Sequence, residues 1–391
     1  MDSIFTLKAN DGTARAGVLH TAHGDVPTPA FIPVASQGSV KALDPADLRA
    51  VGATIVLANT YHMYLRPGVE TVSGLGGLHG FMSWSGPLLT DSGGFQGFSL
   101  EHLRELNEDG IVFKSHLDGS LHEFTPEAVV DYQRGLGADV IMPLDVCVSS
   151  DSDREEVEAA VARTGRWAER SLKAHASGGQ SLFGIVQGGV FEDLRARSVS
   201  EITSMGFPGY AIGGLSVGES KAEMYGVSGS TALLLPEDRP RYLMGVGAPE
   251  DLVECVARGV DMFDCVLPTR IARSAALFVR EGRVNVDTAP FRKRDAPVDP
   301  GCDCYTCTTH SAAYLNHLFR ARELLAYRLA TIHNLRFVLR LMEQMRASIV
   351  AGRFDSYRRD FHDRFVPPKA EVRRDQQRKW KQSRRRARED L

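Results

Sequence analysis

From about residue 53 to residue 270, short apolar, β-rich runs alternate with longer helical stretches, and this alternation constrains the fold more than any other feature. The runs fall at 54–57, 87–89, 140–144, 182–186, 210–212, 242–246 and 262–266. Helical patterns lie between them at 125–136, 154–174, 191–205 and 249–259, several opened by Ser, Thr or Pro in capping positions. Alternating β and α elements build a parallel sheet, open or closed. No G-x-G-x-x-G fingerprint follows the first run, which argues against an open dinucleotide-binding sheet. Nearly every run ends in a polar or glycine-rich cluster: Asn59-Thr60, Asp91-Ser92-Gly93-Gly94, Asp145, Gln187-Gly188-Gly189, Gly213-Gly214, Gly245 and Asp264. Taken singly, each is an ordinary βα turn. Recurring through the units, they predict an α/β fold of the (β/α)8 TIM-barrel type, whose strand ends meet on one active face.

After Arg273 the pattern changes to a cysteine cluster followed by a long helical pattern from about 312 to 351. Cys302-Asp303-Cys304-Tyr305-Thr306-Cys307 places three soft ligands close enough to share one ion, and Cys₃His is an established structural zinc set. His310, three residues on, and His333, inside the helical pattern, are both candidates for the fourth ligand, and spacing does not choose between them. A closed set of four leaves no position for a reactive water, so the expected Zn2+, one per chain, is structural. The predicted organisation is a catalytic barrel over 1–366, with a zinc-binding subdomain over about 274–350 near the carboxyl end of the barrel. A basic tail, expected to be disordered, follows over 367–391. The tail holds ten Lys/Arg against four Asp/Glu, so a formal net charge of −3 divides into −9 for the body and +6 for the tail. That division excludes only a uniformly basic nucleic-acid binder. The amino terminus has no apolar run behind a basic start and no segment approaches membrane-spanning length, so the expectation is a cytoplasmic protein with no membrane partner.

Asp91, Asp145 and Asp264 stand where a barrel places its chemistry. Paired carboxylates on one face can act as nucleophile and general acid/base at an oxocarbenium-like carbon; the plainer alternative is a capping or salt-bridged role. Arg270 and Arg273 follow Asp264 closely and suit a phosphate-bearing substrate.

These motifs, in this order, resemble the bacterial-type tRNA-guanine transglycosylases of the queuine tRNA-ribosyltransferase family over about residues 5 to 365. They are Asn59-Thr60-Tyr61-His62, Thr90-Asp91-Ser92-Gly93-Gly94-Phe95-Gln96, Gly184-Ile185-Val186-Gln187-Gly188-Gly189, Gly213-Gly214-Leu215-Ser216-Val217-Gly218-Glu219, Tyr242-Leu243-Met244-Gly245-Val246-Gly247 and Asp261-Met262-Phe263-Asp264-Cys265-Val266-Leu267-Pro268-Thr269-Arg270, with the cysteine cluster and His333. The resemblance implies exchange of guanine at the wobble position of G-U-N anticodons in tRNA for a 7-deazaguanine base. It implies Asp264 as nucleophile, Asp91 as general acid/base, and Asp145, Gln187 and the Gly214 backbone as readers of the base edge. Phe95 and Met244 would stack on the base, Ser92 would line the pocket, and Arg270 and Arg273 would hold the anticodon loop. Cys302, Cys304, Cys307 and His333 would hold the zinc, and related bacterial enzymes imply a homodimer.

One departure bears on specificity. Members of the family commonly read Asp-Glu-Cys where this chain has Asp145-Val146-Cys147, which removes a carboxylate from the pocket wall and leaves 7-aminomethyl-7-deazaguanine and queuine both in play. Cys147 and Val217 keep the bacterial pattern and favour the aminomethyl base. Two rival readings are a non-catalytic RNA-binding subunit and a hydrolase that passes the ribosyl group to water; intact Asp91 and Asp264 argue against the first.

Overall fold

The computed structural model describes residues 4–94, 104–175 and 179–367. A three-stranded antiparallel sheet, β1 (Phe5–Asp11), β2 (Ala14–Thr21) and β3 (Gly24–Thr28), comes first. The barrel strands follow: β4 (Ala30–Ile32) and β5 (Val34–Ala35), β6 (Val56–Ala58) and β7 (Leu88–Thr90). An antiparallel excursion, β8 (Arg104–Leu106), β9 (Ile111–Lys114) and β10 (Leu121–Phe124), precedes β11 (Val140–Ile141), β12 (Ser181–Leu182), β13 (Gly184–Val186), β14 (Tyr210–Ile212), β15 (Arg241–Leu243) and β16 (Met262–Asp264).

Two five-stranded parallel sheets, β12-β11-β7-β6-β5 and β13-β14-β15-β16-β4, account for the barrel strands. Because β4 runs on into β5 and β12 into β13, each such pair is one stave; the ten strands form eight staves, and the sheet closes on itself. This is the (β/α)8 barrel that the alternation predicts. Side chains obey the two-residue strand period. Leu57, Leu89, Val140, Ile185, Ala211, Tyr242 and Met262 fill the interior, while their neighbours Val56, Leu88, Ile141, Val186, Ile212, Leu243 and Phe263 face the helix layer. Phe5, Leu19 and Val26 of the first sheet belong to the interior cluster, so that sheet closes the amino-terminal end of the barrel. Leu57→Ala would open a cavity in this interior at a cost of about 2–5 kcal/mol.

The first stave, Ala30 to Ala35, escapes a periodicity reading because Pro29 and Pro33 interrupt it. Pro33 is tolerated there because its carbonyl still accepts from the Leu57 N–H at 3.0 Å. The helical expectations hold closely: Arg154–Ala174 is one helix capped by Asp153, and Pro126–Leu136 is capped by Thr125. The long pattern after residue 312 is instead two helices, Ala312–Ala321 and Leu324–Val350, separated where Arg322 takes φ +60°.

Between β16 and those helices come the short helix Leu267–Ala272 and the hairpin of β17 (Ala276–Val279) and β18 (Gly282–Asn285). Helix Leu324–Val350 is shared between two cores. Ala326, Leu329 and Ala330 pack with the hairpin, while Leu335, Val338, Leu341 and Met345 pack with the helix layer of the barrel. The last helix, Phe354–Arg364, is tied to the barrel by Glu254, which accepts from Arg358, Arg258 and His362. No helix among the described residues is long and apolar enough to cross a membrane.

Candidate active site and metal centre

Asp264 ends β16, and its Oδ1 accepts from the Tyr242 hydroxyl at 2.7 Å and the Gly245 N–H at 2.9 Å. Both donors grip one oxygen and leave Oδ2 free of them. Burial pushes this carboxyl upward, and the Tyr242 and Gly245 hydrogen bonds oppose the rise. Asp91 follows β7. Its Oδ1 accepts from the Thr60 N–H at 3.0 Å and its Oδ2 from the Asn59 side-chain amide. Burial raises the Asp91 carboxyl to about 7; the Thr60 hydrogen bond resists, and the nearby charge of Asp264 raises it further. The two carboxylates thus sense each other across the carboxyl-terminal mouth of the barrel, each held by neutral donors.

The other strand-end residues gather around Asp145. Gln187 Nε2 donates to its Oδ2 at 2.7 Å, and Ser92 Oγ lies 3.4 Å from its Oδ1. Burial lifts Asp145 to about 6 against the hydrogen bonds from Gln187 and Ser92. Gly213 and Gly214 pack on the Gln187 amide so closely that a Cβ at Gly214 would lie 2.3 Å from Gln187 Oε1, and Gly214 also holds φ +65°. A carboxylate, an amide and glycine backbone thus meet at one place in the mouth. Met244, partly buried, packs against the barrel interior beside this edge. Phe95 and Gln96 lie outside the described residues, as does the tail beyond residue 367. Val146 is buried among Phe113, Val157 and Trp167, so an apolar side chain occupies the position of the departing residue.

Arg270 and Arg273 are exposed on and just after helix Leu267–Ala272, immediately beyond Asp264. Arg273 donates to the Thr269 carbonyl at 3.1 Å; its partial burial and the like charge of Arg270 lower its pKa. Two exposed guanidinium groups therefore follow Asp264 within nine residues.

Cys302, Cys304, Cys307 and His333 bring one ligand atom each within 4.8 Å of the others. His333 Nδ1 is 3.2 Å from Cys307 Sγ, while its Nε2 is 2.6 Å from the Phe278 carbonyl. That second contact fixes the tautomer, with the proton on Nε2 and the Nδ1 lone pair facing the sulfurs. Hydrogen bonds from Cys302 and Cys307 push the Cys304 thiol down, toward the thiolate that a metal requires. The donor set can hold a metal ion, and His310 is not part of it.

The pattern of the queuine tRNA-ribosyltransferases matches residues 10–367. The chain belongs to this family. A queuine tRNA-ribosyltransferase of Solidesulfovibrio magneticus is 58% identical over 356 residues, covering 90% of this chain and 95% of that protein. One from Herpetosiphon aurantiacus is 55% identical over 361 residues, 92% of each chain, and one from Dehalococcoides mccartyi is 53% identical over 382 residues, 97% of each. Within this queuine tRNA-ribosyltransferase fold, sequence reasoning missed the supports of its two carboxylates. Tyr242 was legible: it lies on β15 two residues before Met244, within the same motif. Asn59 and Thr60 stood out as a strand-end pair, but only the fold shows that they hold Asp91.

Proposed function

We propose that this chain is a tRNA-guanine transglycosylase, a pentosyltransferase that replaces guanine at the wobble position of G-U-N anticodons with a 7-deazaguanine base. The observation that carries this reading is the pair Asp91 and Asp264, part-buried at one barrel mouth, each held by neutral donors and accompanied there by the Asp145–Gln187 pair. Asp264 attacks C1′ of the ribose through Oδ2 as the bond from C1′ to N9 of guanine breaks, Asp91 gives its proton to the departing guanine, and a ribosyl-aspartate ester remains. The incoming base then loses its N9 proton to Asp91 and attacks the same carbon, and the Asp264 carboxylate departs. Two displacements retain configuration, and the exchange requires no ATP. Burial, with the nearby charge of Asp264 added, raises Asp91 to about 7, so Asp91 can give up and take back a proton near neutral pH.

Asp145, Gln187, Gly214 and Ser92 read the base edge, Met244 and Phe95 enclose its faces, and Arg270 and Arg273 hold the anticodon loop. The Cys₃His cluster holds zinc, one tightly bound ion per chain, which supplies structure and no chemistry. The active form is a cytoplasmic homodimer. Incubation of tRNA with labelled guanine tests the reaction: label incorporation is expected, release of guanine without incorporation indicates hydrolysis, and no turnover indicates a binding subunit. Competition between queuine and 7-aminomethyl-7-deazaguanine decides which base this chain prefers.

A further inference from the structure

At the opposite end of the barrel from the carboxylate pair, His23, His79 and Asp139 form a second cluster whose ligand atoms lie within 4.8 Å of one another. They come from three separate places: the turn between β2 and β3, the helix Gly77–Met82 and the residue preceding β11. His23 Nδ1 is 2.8 Å from Asp139 Oδ1, and His79 Nε2 is 3.5 Å from Asp139 Oδ2. The two imidazole rings stack with centroids 3.6 Å apart.

The orientation of His79 is the decisive feature. Its Nδ1 donates to the Trp84 carbonyl at 2.9 Å, so in the neutral ring Nε2 carries the lone pair. That Nε2 is shielded from solvent, and its nearest carboxylate oxygen, Asp139 Oδ2 at 3.5 Å, lies beyond a good hydrogen bond. Two ring nitrogens and a carboxylate thus converge on one small space that a cation, a proton or a metal ion, would fill. Asp139 is itself firmly placed. Its side chain is 1% exposed, and it accepts from the Leu88 N–H at 2.8 Å and the His23 N–H at 3.2 Å.

We infer that His23, His79 and Asp139 form a second metal site, a two-histidine, one-carboxylate clasp for a divalent transition cation of the zinc, cobalt or nickel kind. Imidazole and carboxylate ligands suit these ions and not magnesium or calcium. The carbonyl behind His79 mirrors the one behind His333 and orients the ring in the same way. His23 binds by moving its proton from Nδ1 to Nε2, and its side chain, 41% exposed, is free to splay from the stack and leaves the ion open to water on one side. The site ties the β2–β3 turn to the barrel floor. It lies far along the strands from Asp264, so it stabilises the closing sheet and does not take part in base exchange.

The test uses the untagged full chain with its cysteine-bound metal in place. Equilibrium dialysis against Co2+ should show one further equivalent bound, with a visible spectrum lacking the sulfur-to-cobalt charge transfer of a thiolate site. His79→Ala and the exposed-site variant His23→Asn should each weaken that binding by more than about a hundredfold while retaining the cysteine-bound ion. Added Co2+ should raise the melting temperature of the wild type and leave that of His23→Asn unmoved. Absence of a second equivalent in the wild type, or wild-type affinity in both variants, overturns the proposal. So does a melting temperature that responds to pH but not to metal, which would mark a proton shared between His79 and Asp139.

Discussion

Asp145 and Glu254 are almost equally hidden, 6% and 8% exposed, yet their carboxyls move in opposite directions, to about 6 and to about 2. Burial pushes both upward. At Asp145, in the barrel mouth, the partners are the neutral Gln187 and Ser92, and burial prevails. At Glu254, in the outer helix layer, Arg358, Arg258 and His362 more than reverse it. Neutral partners leave the rise from burial in place at Asp145, whereas three cationic partners reverse it at Glu254.

Substitutions can break this contrast, beginning with the strongest. Asp264→Asn should lower turnover on the order of 10⁴-fold or more and abolish the tRNA adduct on a denaturing gel, with unchanged circular dichroism; an undiminished adduct would reassign the nucleophile. Asp91→Asn should cost about 10²–10⁴-fold. It should also remove an ionisation near pH 7 from the rate profile, which a structural role for Asp91 would leave in place. Glu254→Gln should leave turnover intact and lower stability to urea by about 2 kcal/mol at neutral pH. Its folded pKa lies below the unfolded value, so the stabilisation is complete above about pH 4.5 and is lost as pH falls toward 2; the variant and wild type should converge there. The smallest effect is expected for Asp145→Asn, where the sign reverses. A folded pKa raised to about 6 penalises folding as pH rises from about 4 to 6, so the variant should melt higher at pH 8, by about 1 kcal/mol of stability, and lose that gain below pH 4. It should also bind the base more weakly, the exchange of stability for function expected at a site of this kind.

The sequence displays the features that repeat and hides those that depend on distant contacts. Seven of the eight staves show as apolar runs because parallel strands covered on both faces are continuously hydrophobic. The eighth is concealed by Pro29 and Pro33, and the antiparallel strands β1 to β3 and β8 to β10 went unread because their edges and turns dilute the pattern. In the site, Asp91, Asp145 and Asp264 are legible from their place after apolar runs. The hold of Asn59 and Thr60 on Asp91 is not, since it joins two strand ends some thirty residues apart. The fourth metal ligand shows the same limit: spacing admits His310 and His333 alike, and only the helix that carries His333 past the Phe278 carbonyl separates them.

That helix, Leu324–Val350, has a consequence for how the molecule comes apart. It begins in the core it shares with the β17–β18 hairpin and continues as part of the jacket around the staves, with His333 near the join. Chelation would therefore loosen more than a local knuckle; it would release one end of a strap whose other end, through Arg346, grips the carbonyls of Pro27 and Pro29 where the first stave begins. Metal loss and barrel opening should then behave as one cooperative event, so that amides deep in β4 and β16 exchange with solvent in step with those beside the cysteines.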